Sequence, residues 1–340
     1  MPRSIAIPAL CFLSLTMLAP AAPAAPGPKP RPIIDRRETG HDFALQGEYV
    51  SELPDGRRYG VQVIALGDDR FRAVGYWGGL PGDGWDGTMP ETCEASSTGE
   101  RIEFRTERGK GLIDLTLCRA AGGLLDSAGK WHAALTRVVR QSPTLGLAPP
   151  EGAIVLFDGK GGDRESVRAW RGGRAKEGLL QVGTQTVESF DDFQLHVEFM
   201  TPYMPYARGQ DRGNSGVYLQ RRYEIQILDS FGLEGADNEC GAIYGFRRPD
   251  VNMCFPPLSW QTFDVDFRMA RFDDTGQKTE NACITVRHNG VLIHDAVELT
   301  KSGDDSWKTA ETPAGGPLLL QFHGAPVQFQ NIWLVPRAAR

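Results

Sequence analysis

No stretch of this 340-residue chain carries an apolar repeat of helical period over a useful length. Short runs rich in β-branched and aromatic residues follow one another instead, broken by Gly, Pro, Asn and Asp. A chain patterned this way folds as strands, because two-fold alternation turns one face of each run to a core and the other to water. The 40 Gly and 23 Pro show no G-x-y repeat, which excludes a collagen-like rod and fits an all-β protein with many turns. At 41% hydrophobic residues the chain can build real cores, and its length suits one large domain or two ordinary ones. The 37 Lys and Arg are outweighed by 43 Asp and Glu, with no basic cluster to neutralise phosphates, so no nucleic acid partner is expected.

The organisation along the chain follows from where the strand pattern starts and stops. Arg3, the apolar stretch Ile5 to Leu18 and the small-residue run Ala19 to Ala25 read as an export signal over residues 1–25. The apolar stretch is shorter than the ~20 residues a spanning helix needs, and no later segment could span a bilayer. A periplasmic or extracellular bacterial location follows as an expectation. Residues 26–40 are Pro-rich and polar, a flexible leader. Residues 41–140 carry runs such as Tyr59 to Ala65 and Phe71 to Trp77 and predict a small antiparallel β domain. Residues 141–152, with Pro143, Pro149 and Pro150, read as a linker, and residues 153–337 as a two-sheet sandwich. Val286 to Ile293 predicts a hairpin turning at Asn289-Gly290, where both positions tolerate positive φ. The loop Gly78 to Gly87, with Trp77 and Trp85 near Asp83 and Asp86, fits either a sugar-stacking surface or a structural turn cluster.

Five cysteines follow the export segment, Cys11 lying within it. In an exported protein the default is disulfides, and sequence order pairs Cys93 with Cys118 and Cys240 with Cys254, leaving Cys283 as a strand residue. No spacing matches a zinc or redox motif, no Ser or Cys stands in a nucleophile elbow, and no metal or cofactor is called for. A structural calcium is compatible with such sandwiches, but no acidic loop here demands one.

The polar residues with most chemical content lie between Asn214 and Asp229. Arg221-Arg222 forms a corner that lets Gly216 to Gln220 pair with Tyr223 to Leu228, and Glu224 and Gln226 then share a face opposite Tyr223, Ile225 and Ile227. A bulge near Leu228 would bring Asp229 to the same face. Two carboxylates and an amide so placed suit general acid–base work, and they suit equally a satisfied polar strand edge. Gln321 and His323 share a face at the end of an apolar strand, and Tyr203, Tyr206, Tyr244 and Trp260 are candidates to stack on sugar rings.

At these residues the second domain resembles a known family. Leu156-Phe157-Asp158-Gly159-Lys160, Phe190 to Phe199, Asn214 to Leu219, Tyr223 to Asp229, Gly241-Ala242-Ile243-Tyr244-Gly245 and Leu320 to Gly324 occur in the order seen in the 3-keto-disaccharide hydrolase domain family. The resemblance implies a concanavalin-like β jelly roll related to laminin G modules, and action on glycosides with a ketone at C3. The ketone acidifies the C2 proton, a base removes it, the C1 substituent leaves by β-elimination, and water adds. On that basis Glu224 is assigned as base, His323 or Asp229 as acid, and Asn214, Gln226 and Gln321 as partners of sugar hydroxyls or the enolate. Tyr244 and Trp260 would line the substrate.

The same strand resembles the E-x-D-x-x-E signature of laminarinase-type glucanases, with Glu224, Gln226 and Asp229 in its acidic places. Gln226 removes the central acid and Asp229 is shorter than the last Glu, which favours elimination over a retaining mechanism. The alternative function is a non-catalytic carbohydrate-binding protein or a laminin G-like adhesion protein. The residues ahead of the sandwich resemble a companion β module of exported bacterial proteins with no known activity.

Overall fold

Eight antiparallel strands of the first block close into a barrel. They are β1 (Gly47–Glu52), β2 (Arg58–Gly67), β3 (Arg70–Trp77), β4 (Glu91–Thr98), β5 (Arg101–Thr106), β6 (Gly109–Asp114), β7 (Ala121–Leu125) and β8 (Trp131–Val138). Each pairs with the next, and β8 returns to β1. The computed structural model describes residues 31–106, 109–114, 121–126, 128–300 and 309–337. The export segment of residues 1–25 and Cys118 lie outside the described residues. Two strands escape the sequence pattern: β4 alternates half-buried and exposed residues without strong apolar content, and β7 reads Ala-Gly-Gly-Leu-Leu. Ahead of β1 the chain forms a short helix over His41–Leu45.

The second block is a sandwich of two antiparallel sheets. One sheet runs, in spatial order, Trp170–Arg171, Thr184–Thr186, Leu319–Leu320, Ser215–Leu219 and Tyr223–Ile227. The other is built around Gln328–Arg337, Asp192–Met200, Trp260–Arg268, Ala282–His288 and Val291–Leu299. Alternation decides the core: Phe193, Leu195, Val197 and Phe199 of one sheet meet Val217, Leu219, Ile225 and Ile227 of the other in one buried cluster. The expected hairpin is present, with His288 opposite Val291 and positive φ of 50° at Asn289 and 80° at Gly290.

Two segments expected to be loose are fastened. Ile33 bridges Tyr203, and the Arg36 guanidinium donates twice to Leu258 O, at 3.1 and 2.7 Å, so residues 31–40 are anchored leader rather than flexible chain. In residues 141–152, Ser142 Oγ lies 2.6 Å from Thr262 Oγ1, Thr144 Oγ1 donates to Asp264, and Gly146 N donates to Glu198. This segment is a strap across the outer face of the larger sheet. The residues from Arg31 onward cluster as one compact unit.

Cys93, Cys240, Cys254 and Cys283 are free thiols, which corrects the expected disulfides among the described residues. Cys240 and Cys254 do meet in the core, but as neighbouring thiols, with Cys254 donating to Leu228 O. Burial, with the Cys240 thiol beside it, pushes Cys254 well above the usual thiol range.

Candidate functional site

The strands Ser215–Leu219 and Tyr223–Ile227 pair in the register Gly216 with Gln226 and Tyr218 with Glu224. Three residues, Gln220 to Arg222, make the corner, closed by Arg222 N donating to Leu219 O at 2.9 Å. Gln220 and Arg221 hold positive φ, and the Gln220 amide, bonded to Phe190 O and Asp191 O, fixes that conformation. Since Val217, Leu219, Tyr223, Ile225 and Ile227 face the core, Gly216, Tyr218, Glu224 and Gln226 face the other side of the smaller sheet.

Glu224 is only 3% exposed. Its carboxylate lies flat across the neighbouring strand, for a Cβ built on Gly216 would stand 2.2 Å from Glu224 Oε1. Glycine at 216 is what lets the carboxylate reach this seat. The Gln226 amide sits between the acceptors Ser215 O and Glu224 Oε1, so its nitrogen turns to them, at 2.8 and 3.3 Å. Asn214 Nδ2 donates to Gln210 O at 2.9 Å, and the Gln226 amide oxygen lies 3.0 Å from the Gln210 side-chain amide, extending the amide cluster around the carboxylate. Gln321 continues the sheet through its N–H to Gly216 O and donates from Nε2 to Tyr218 Oη at 2.9 Å. Its Oε1 is buried with no partner among the described residues.

The loop after Asn238 serves as an extra edge. Gln226 N donates to Ala242 O, Gly241 N to Gln226 O and Tyr244 N to Glu224 O. With Ile243 in the core, Tyr244 falls on the Glu224 side and is half-buried. The structure therefore brings together Asn214, Glu224, Gln226, Gln321 and Tyr244.

Three expected members stand apart. Asp229 does not turn to the Glu224 face: the strand ends at Ile227, and the Asp229 side chain is buried in an ion pair with Arg212 at 2.7 Å. Trp260 begins a strand of the opposite sheet, paired with Met200. His323 is exposed beyond the end of the Leu319–Leu320 strand, and no hydrogen bond joins it to Glu224 among the described residues. Of the other aromatics, Tyr203 is buried and donates to Asp42 at 2.7 Å, and Tyr206 packs on Gly67 of the barrel.

Sequence reasoning missed Tyr218, Gly216 and Gln210. Alternation within Gly216 to Gln220 carried the signal for Tyr218, whereas Gln210 arrives from a 3-10 turn and left none. The loop around Trp85 is structural: Asp83 pairs with Arg58, Asp86 accepts from Thr88, and the Trp85 ring packs edge-on to Tyr76 at 5.5 Å. Among the described residues no three His, Cys, Asp or Glu side chains converge as a metal-binding group. No helix among them is long and apolar enough to cross a membrane.

Residues 152–335, the whole sandwich, match the family model described as the 3-keto-alpha-glucoside-1,2-lyase-like domain. The chain belongs to this family. Its sandwich is thus a carbohydrate-active domain of hydrolase type. No curated protein matches the chain. Solved structures similar to the chain include two titled as a putative glycosyl hydrolase from Parabacteroides distasonis ATCC 8503. One is 30% identical, covers 55% of this chain and 85% of its own, and has a TM-score of 0.48. The other is 19% identical, covers 55% and 95%, and has a TM-score of 0.38.

Proposed function

We propose that this protein cleaves glycosides carrying a ketone at C3, with Glu224 as the base that removes the C2 proton. The observation that carries the reading is the seat of Glu224: a nearly buried carboxylate against Gly216, bonded by the Gln226 amide, on the face that also holds the unsatisfied acceptor of Gln321. A sugar hydroxyl supplies the donor that Gln321 Oε1 lacks. Proton removal at C2 gives an enolate, which expels the C1 oxygen with its substituent. Water then adds H and OH across the double bond and yields the free 3-keto sugar. Asp229 is occupied by Arg212, so protonation of the leaving oxygen falls to solvent or to exposed His323. The basic, apolar and then small-residue order of residues 1–25 supports export, which places the substrate outside the cytoplasm.

The test is to incubate the protein with a 3-keto glucoside and with its unoxidised parent. Turnover of the keto sugar alone, reduced about 10²–10⁴-fold in Glu224→Gln, is the expected result. Sugar binding without turnover of either compound would sink the catalytic reading and leave a carbohydrate-binding protein. Cleavage of the parent glucoside would point to a glucanase-like route.

A further inference from the structure

The barrel is filled at one end and hollow at the other. Inward-facing Tyr49, Val63, Phe71 and Ile102 pack one end, and Tyr203 and Leu258 of the sandwich join the same cluster. Toward the opposite end the inward positions carry Ala73, Gly75, Cys93, Gly109 and Gly111, and a cavity of about 260 Å³ results. Eight strands enclose a lumen that side chains can fill or that can hold one small ligand, so the residue sizes decide which.

The fold forces only part of this emptiness. A side chain at Gly75 would strike Tyr59 Oη, and one at Gly109 would strike Leu125 O. At Gly111 an added Cβ meets nothing nearer than Phe104 Cβ at 3.9 Å, and its φ is not in the left-handed region. The barrel could accept a larger residue there and gain packing, yet the space is left open.

The walls are apolar, from Val61, Phe104, Leu124 and Leu135. Charged residues of both signs stand among the lining residues, Arg57 against Glu91, whereas Lys110, between the inward Gly109 and Gly111, turns outward to Glu103 at 3.8 Å. Trp77 joins them, with the Arg57 guanidinium 4.8 Å from its ring and its Nε1 donating to Glu91 at 3.4 Å. Outside, a second recess formed by Arg57, Trp77, Thr88, Met89 and Glu91 adjoins the mouth, where Met89 is 89% exposed.

We propose that the barrel lumen is a binding site for one small molecule with an apolar body and a neutral hydrogen-bonding end. The body enters between Gly111, Ala73 and Phe104. The polar end remains beside the mixed charges, which would cancel for a ligand with a net charge of either sign. For scale, an engineered apolar cavity of about 150 Å³ stays dry and binds benzene, so this lumen takes something larger than a single ring. The site is independent of the sandwich face that carries Glu224.

The experiment titrates the full protein with N-phenyl-1-naphthylamine, a neutral apolar probe with one N–H, and follows its emission. It also maps alkylation of Cys93, a lumen residue, by peptide mass analysis. The expected result is saturable binding of one probe per chain and slowed alkylation of Cys93. Both effects disappear in Gly111→Leu and in Ala73→Leu, while keto-sugar turnover stays at its starting level. If one variant fails to fold, the other decides, and protection of Cys93 in the unaltered protein needs neither. Absence of saturable binding, unprotected Cys93, or unchanged affinity in a folded filled-lumen variant overturns the proposal.

Discussion

At the scale of single residues, the site depends on a missing side chain. Gly216 holds no positive φ, so alanine fits its backbone, but the new Cβ would take the place of Glu224 Oε1. That oxygen is the far end of a flexible side chain, so the carboxylate moves and the strand does not. Gly216→Ala should therefore leave the melting temperature within a few degrees and lower kcat about 10²-fold, the cost of a displacement of about 1 Å at a reacting group. Steady-state kinetics beside a thermal melt checks both halves.

His288 titrates in the core rather than at the site. Its Nε2 lies 3.0 Å from Gln261 Oε1, its Nδ1 has no partner among the described residues, and the Phe263 ring centroid is 4.8 Å away. Burial pushes its pKa down to about 3. An unfolded histidine binds its proton near pH 6.5, so across this window the unfolded chain holds a proton that the folded one refuses. The contribution is complete above pH 6.5 and is lost as pH falls, by about 2–3 kcal/mol between pH 6.5 and 4.5. Urea unfolding at the two pH values should show that slope, and His288→Leu should flatten it.

Legibility at this scale was uneven for physical reasons. Glu224 and Gln226 could be read because alternation is a local property. Asp229 was misplaced because its partner Arg212 lies on a loop that no local pattern ties to it.

At the scale of elements, the strap formed by residues 142–147 shows how three prolines nearby can mislead. A Pro-rich segment between two strand patterns reads as a tether, yet this one covers the polar outer face of the larger sheet. Its anchor is Glu198, whose carboxylate accepts from Gly146 N at 2.5 Å, Gln330 Nε2 and Asn331 Nδ2 at 2.7 Å each, and lies 3.3 Å from His196 Nε2. His196 in turn reaches Asp264 at 2.6 Å and stacks on Trp333. Burial alone would raise the Glu198 pKa, but the hydrogen bonds from His196, Asn331, Gln330 and Gly146 hold it below the usual carboxylate range. For His196 burial opposes the charged form, and Asp264 and Glu198 overcome it and raise the pKa. Glu198→Ala strands a buried imidazole and several donors at once, so it should cost about 3–5 kcal/mol. Denaturant unfolding measures that loss, and limited proteolysis should then cut near Leu147, which is already exposed. The strands and the Asn289-Gly290 hairpin were legible because they depend on local alternation and turn chemistry. The strap was not, since its bonds reach residues more than fifty positions away.

At the scale of the whole molecule, barrel and sandwich share buried surface and buried charge, and neither is visible in a sequence read block by block. Phe231 packs with Ile64, Leu66, Val74 and Tyr76 of the barrel. Arg140 reaches Glu48 while its guanidinium lies 5.1 Å from the Phe255 ring. Arg212 is the most demanding link: it pairs with Asp229 at 2.7 Å and donates to Ala65 O of the barrel at 3.3 Å, with 7% of its side chain and none of Asp229's exposed. A buried pair is weak evidence of net stabilisation, but removing one partner leaves an uncompensated charge in the interior. Arg212→Met should thus cost about 3–5 kcal/mol and Asp229→Leu a similar amount, while the double variant should lose clearly less than the sum. Because Arg212 serves both blocks, the loss should lower one shared unfolding transition followed by barrel Trp77 and sandwich Trp333 alike. Two separated transitions, with the barrel signal unmoved by Arg212→Met, would show that the blocks fold independently and that the pair serves the sandwich alone.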